Sequence, residues 1–145
     1  MKPILIAMGL LAMAGCNTYD VRAMKFDPDL KEVVVINNPN VRVWDFDFEL
    51  VDAFKEHGLA VRQEAIGYQA AKGEWVVSYT AQQVWDVTDY LSDAMVSVNR
   101  DRQQEAYGRY HHIGGAMSFS FWKWQCTKTK MAPLYDELLK NYPKK

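Results

Sequence analysis

His111 and His112 stand side by side, and imidazoles are the residues that most readily hold a metal or pass a proton. In a strand, neighbouring side chains point to opposite faces, so these two rings cannot share one ion. No cysteine or carboxylate pair stands beside them at a known ligand spacing, and the pair reads as structural or solvated. His57 falls at the end of a predicted helix, where a cation is an ordinary stabiliser. Asp45, Asp47, Glu49 and Asp52 form an acidic cluster, and paired carboxylates can do acid–base work. Here they crowd the first turns of a helix, where capping and the helix dipole already account for them. The chain has no GxSxG elbow, Walker loop or GxGxxG fingerprint, and the residues call for no cofactor. The reading is therefore non-catalytic, with an envelope enzyme using His111 or the acidic cluster near Asp45 as the competing class.

Aromatic residues are the larger surplus: five Trp, eight Tyr and six Phe. Read as extended chain, Trp122-Lys123-Trp124 sets both indoles on one side and the cation on the other. These rings either cover the sheet edge under the last helix or form a patch where a partner docks, since Trp makes strong interface anchors. Trp122 and Trp124 are the candidate partner-binding residues.

Near the N-terminus, Met1 and Lys2 lead into an uncharged apolar run from Pro3 to Met13, followed by Ala14, Gly15 and Cys16. One cation, a short apolar stretch and a small-residue exit describe a secretory signal, and the run is too short to span a bilayer. The segment Leu10-Leu11-Ala12-Met13-Ala14-Gly15-Cys16 resembles the lipobox of bacterial lipoproteins. Met13 departs from it, standing where Leu or Val is usual. The resemblance implies that the Cys16 thiol is diacylglycerol-modified and that cleavage makes Cys16 the new N-terminus. Asn17 follows where Asp would resemble an inner-membrane retention signal, which implies sorting to the outer membrane. A buried methylene contributes roughly 0.8 kcal/mol, and more than one acyl chain suffices for a stable anchor.

The elements that must carry these residues fit into one domain, because 145 residues make two unlikely. A composition of 49% hydrophobic and 24% charged residues rules out wholesale disorder. With 17 basic against 18 acidic residues, the chain lacks the basic excess of a nucleic-acid binder, and no nucleic acid is expected as a partner. Two cysteines cannot build a disulfide scaffold or a closed zinc site by themselves. Cys126 reads as a packed, inert small residue.

Residues 1–15 form the signal, and 16–31 read as the lipidated N-terminus and a polar tether around Asp27-Pro28-Asp29. Residues 32–145 are the single α/β domain. Its first strand is Glu32 to Ile36, a continuous apolar run suited to a central position. A helix from Phe46 to His57 follows, with Asp45 as N-cap and Gly58 as its stop. Leu59 to Gln63 returns as a strand parallel to the first. Trp75 to Asp86, Tyr90 to Asn99 and Gln104 to Ile113 alternate as a three-stranded meander closed by Gly114-Gly115. Ser118 to Gln125 reads as a short strand or extended loop. A last helix, Lys128 to Asn141, is capped by Thr127, with Pro133 tolerated only near its first turn. The fold class is α+β: a two-layer sandwich with a mixed sheet of about five strands, ordered β-α-β-β-β-β-α, and two helices on one face.

Asn38-Pro39 with Val41-Arg42, His57-Gly58, Tyr79-Thr80-Ala81 with Trp85, Lys123-Trp124-Gln125 with Thr127, and Glu137-Leu138-Leu139 together resemble a family of small bacterial lipoproteins of unknown function. That resemblance implies no known activity. The broader layout is similar to the two-layer domains of periplasmic adaptor lipoproteins, an analogy that carries fold and not function. The expectation is an outer-membrane-anchored lipoprotein whose domain faces the periplasm. It is held to the membrane by its N-terminal lipid and binds or supports an unknown envelope protein. A structural lipoprotein without a discrete ligand is the further alternative.

Overall fold

The computed structural model describes residues 17–114 and 121–145. The chain runs β1 (Asn17–Arg22), β2 (Glu32–Ile36), α1 (Phe46–Glu56), β3 (Ala60–Glu64), β4 (Trp75–Asp86), β5 (Thr88–Arg100) and β6 (Gln103–His112). A 3-10 turn (Phe121–Trp124) and α2 (Thr127–Leu138) complete it. The strands form one mixed sheet in the order β1-β6-β5-β4-β2-β3. β2 is parallel to both β3 and β4, and the other pairs are antiparallel. The α+β class, the two helices and the parallel β2-α1-β3 unit agree with the sequence reading; the sheet has six strands instead of about five.

The extra strand comes from the expected tether. Asn17 to Arg22 pairs along β6 from Asn17 opposite His112 to Arg22 opposite Tyr107. The residues that follow are strapped to the C-terminus: Met24 N–H donates to the Leu138 carbonyl at 2.8 Å, and Asn141 Nδ2 returns a bond to the Met24 carbonyl at 2.7 Å. Met24 itself is fully buried in the core.

Both helices cover one face of the sheet, as register and contact show together. Tyr79 lies opposite Val96, and Val96 lies opposite Gly108, so these three residues share a face. On α1, Phe46 stacks on Tyr79 with ring centroids 5.4 Å apart. On α2, Leu134 occupies the space above Gly108, where an added Cβ would meet Leu134 Cδ2 at 2.5 Å. Glycine is required there by close approach. Leu50 and Phe54 of α1 and Met131 and Leu138 of α2 are fully buried in the same core. Helix amphipathicity and strand alternation thus converge on one core.

Local chemistry corrects several expected boundaries. Asp45 stands at the N-cap of α1 but makes no side-chain capping bond. Its Oδ1 instead accepts from Thr127 Oγ1 at 2.7 Å, joining the starts of the two helices. Thr127 is therefore the first residue of α2, and Cys126 is its N-cap. Pro133 lies inside α2, beyond the first turn. His57 caps the C-terminal end of α1, as expected, but it is buried there, and its Nδ1–H donates to the Tyr142 carbonyl. Gly58 stops α1 with φ of 78°, the left-handed value expected of it.

Candidate functional site

The histidines divide as the strand period demands. His111 is exposed, with Nδ1 2.7 Å from Asp93 Oδ1, whereas His112 points inward. His112 Nδ1 lies 2.8 Å from Asn17 Oδ1, an acceptor, so Nδ1 carries the proton. Its Nε2 has no hydrogen-bond partner among the described residues. Burial, followed by the charges of Lys130, Lys123 and His111, holds the ring below the usual histidine value. Among the described residues, no group of three or more His, Cys, Asp or Glu is placed to hold a metal ion.

The acidic cluster does not converge into a site either. Asp45 is bound to Thr127, Asp52 lies 4.0 Å from Lys128, and Glu49 is pushed above the usual carboxylate range mainly by desolvation. Cys126, expected to be packed, is an exposed free thiol with Sγ 3.2 Å from Thr129 Oγ1. That hydrogen bond draws its pKa downward. Cys16 lies outside the described residues.

The segment around Trp122 differs most from its expected form. It is a 3-10 turn, not an extended strand, so the two indoles do not share a side by a period of two. Lys123 is fully buried, while Trp122 is 44% and Trp124 40% exposed. The Lys123 ammonium pairs with Asp86, at the far end of the β4–β5 hairpin, and lies 5.0 Å from the Tyr90 ring centroid. Trp124 Nε1–H reaches the Asp86 carbonyl at 3.4 Å.

A second buried lysine supports this turn from below. Lys130 on α2 donates to the carbonyls of Leu91 at 3.0 Å and Lys123 at 2.6 Å, with its ammonium 5.2 Å from the Tyr90 ring. Burial pushes it down to about 8. Two lysines thus grip one tyrosine ring and bind the 3-10 turn, α2 and the hairpin into a single unit. The arrangement does mechanical work: cation–π contact and carbonyl bonds hold an aromatic platform in place. Nothing in the sequence marks Lys123 or Lys130 as buried, because Asp86, Leu91 and Tyr90 stand more than thirty residues before them.

The hairpin that this unit holds ends in exposed apolar side chains, with Trp85 73% and Val87 81% exposed. Val87 sits at φ of 64°, a left-handed conformation costly for a β-branched residue. Two clefts lie elsewhere. One of about 540 Å³ opens beyond the carboxyl ends of β2 and β3, between Asn38, Trp44, Ile66 and Tyr79. Another of about 500 Å³ lies at the opposite, charged end of the sheet, between Tyr68, Lys72, Glu74 and Arg102. In the second, the Tyr68 hydroxyl donates to Glu74 Oε2 at 2.9 Å, and the same carboxylate pairs with Arg62.

Among the described residues, no helix is long and apolar enough to cross a membrane. No family model matches the chain, and no curated protein matches it. Among solved structures, the chain is similar to a point variant of the PelC dodecamer from Paraburkholderia phytofirmans, with a TM-score of 0.60 at 10% identity, covering 85% of this chain and 98% of that one. It also matches a minor lipoprotein from Acinetobacter baumannii, with a TM-score of 0.39 at 9% identity, covering 80% of this chain and 98% of that one. The first likeness shows that the two chains share a fold, and at 10% identity it shows nothing more.

Proposed function

We propose that this chain is a lipid-anchored lipoprotein of the cell envelope, held at the outer membrane through Cys16, whose domain binds or supports another envelope component without catalysing a reaction. The observation that carries the reading is the junction of anchor and domain. The Ala14-Gly15-Cys16 exit ends one residue before Asn17, where the first strand of the sheet begins. A cysteine placed there leaves a lipid-modified N-terminus followed at once by folded protein. One solved structure that shares the fold is a dodecamer, so a second copy of this chain is one partner to test.

Expression of the full chain with Cys16→Ser decides the anchor. The wild type should carry the mass of a diacylglyceryl and acyl group on Cys16 and fractionate with membranes, whereas the variant should persist as unprocessed precursor. A wild-type chain of unmodified mass beginning elsewhere would sink the reading. Size measurement of the detergent-solubilised chain, followed by cross-linking in intact envelopes, separates self-assembly from capture of a different protein.

A further inference from the structure

The two ends of the sheet differ in chemistry. At one end, where β5 turns into β6 and β4 starts, exposed Arg22, Lys72, Asp101 and Arg102 stand with exposed Gln103, Gln104 and Phe26. At the other end lie exposed Val84, Trp85, Val87, Ile113, Trp122 and Trp124. The register states which end the N-terminus leaves from. Asn17 lies opposite His112, the last residue of β6, so β1 begins at the apolar end.

The β4–β5 hairpin projects beyond that point. Asp93 lies opposite His111, and the hairpin continues through Val84 opposite Tyr90 to Asp86 opposite Thr88. Five residues past Asp93 amount to roughly 16 Å of strand at about 3.3 Å per residue. Its tip is Trp85, Asp86 and Val87, with the Asp86 carboxylate neutralised by Lys123. Valine at φ of 64° gains no packing for its strained backbone, since its side chain faces solvent. Glycine would sit there without strain, whereas valine sets an exposed apolar side chain at the tip.

We propose that this end of the sheet rests on the bilayer: Trp85 and Val87 of the hairpin tip, with Trp122 and Trp124 of the 3-10 turn, seat in the headgroup region of the leaflet that holds the lipids of Cys16. The proposal rests on the reading of Cys16 as the lipidated residue. Because Asn17 is already in the sheet, the acyl chains bring this end, and not the charged one, to the membrane surface. Indole rings suit that depth, with an apolar body and an N–H that finds polar partners. Asp89 is exposed near the tip, so the contact depends on indole and valine and not on attraction to anionic lipid.

The test uses the full lipidated chain in zwitterionic phosphatidylcholine vesicles, with and without bromine at the 6,7 positions of an acyl chain. Intact mass and flotation report the anchor; tryptophan quenching by bromine reports the tip. The expected result is a chain that floats and is quenched, with less quenching in Trp85→Phe and in Val87→Asp, both of which still float. A chain that is acylated and floats but shows equal emission in both vesicles overturns the tip contact alone and leaves this end to a protein partner. A chain without acyl mass that does not float fails the anchor reading and takes this proposal with it. Quenching undiminished in both variants also overturns the assignment to the hairpin tip.

Discussion

Asn17 lies opposite His112 in the β1–β6 ladder, and its Oδ1 accepts hydrogen bonds from both His112 Nδ1 at 2.8 Å and Tyr110 Oη at 3.2 Å. The first residue after the candidate lipidation site is therefore bound into the same cluster as His112, the inward-facing member of the histidine pair. That arrangement replaces a loose tether with a fixed exit, and it sets the direction in which any anchor pulls on the domain.

Lys130 dominates the pH dependence expected on the alkaline side. Its folded-state value of about 8 lies below the ordinary 10.5. Between those values the unfolded chain holds a proton that the folded chain has released, so stability rises with pH by at most about 1.4 kcal/mol per unit. The tyrosines act oppositely: burial raises Tyr110 and Tyr135, so stability falls as pH climbs above 10, where the unfolded phenols ionise. The urea midpoint should rise from pH 8 to about 9.5 and decline beyond about 10. Lys130→Met should flatten the first limb, and a wild-type midpoint that is flat there would contradict the burial of this ammonium.

Gly108→Ala should destabilise by about 1–3 kcal/mol, because the new methyl enters space held by Leu134. Leu134→Ala alone should cost about 2–5 kcal/mol as a core truncation. Combined, the two should be less destabilising than their sum, since each relieves the defect of the other. Strict additivity in urea denaturation would show that α2 does not pack on β6 at this point.

Thr127→Val should cost about 1.5–3 kcal/mol, the usual loss for a buried hydrogen bond to a charged group. Asp45→Ala should cost a similar amount, and the double variant little more than either. If Asp45 served only to cap α1, the Thr127 substitution would leave the effect of Asp45→Ala unchanged, and the cycle would show no coupling.

Trp122→Ala and Trp124→Ala should each cost about 1–2 kcal/mol, well short of the roughly 3–5 expected of a fully buried tryptophan. Trp124 should be the more costly, because it loses both the bond to the Asp86 carbonyl and the Lys123 ammonium 5.7 Å from its ring. Thermal melts of the two variants that reverse this order would contradict the placement of the 3-10 turn.

The α+β class, the parallel β2-α1-β3 unit and the long β4–β5–β6 meander were legible in the chain itself. Each rests on local physics: a continuous apolar run for a central strand, a period near 3.6 for the helices, and alternation for the half-buried strands. Opposite faces for His111 and His112 followed from the same period of two. β1 was not legible, because it is an edge strand whose side chains are mostly exposed; Asn17 to Arg22 reads as polar linker until its backbone finds β6. The 3-10 turn at Trp122 was missed for a related reason, since a four-residue aromatic segment carries no period long enough to tell a turn from a strand. Asp45 sits where a capping residue belongs, and only the approach of α2 turned its carboxylate to Thr127. Lys123 and Lys130 show the limit most plainly. Composition places lysine on the surface, yet both ammonium groups are buried, because Asp86, Leu91 and Tyr90 arrive from a hairpin distant in sequence and supply the charge, carbonyl and ring that make burial tolerable.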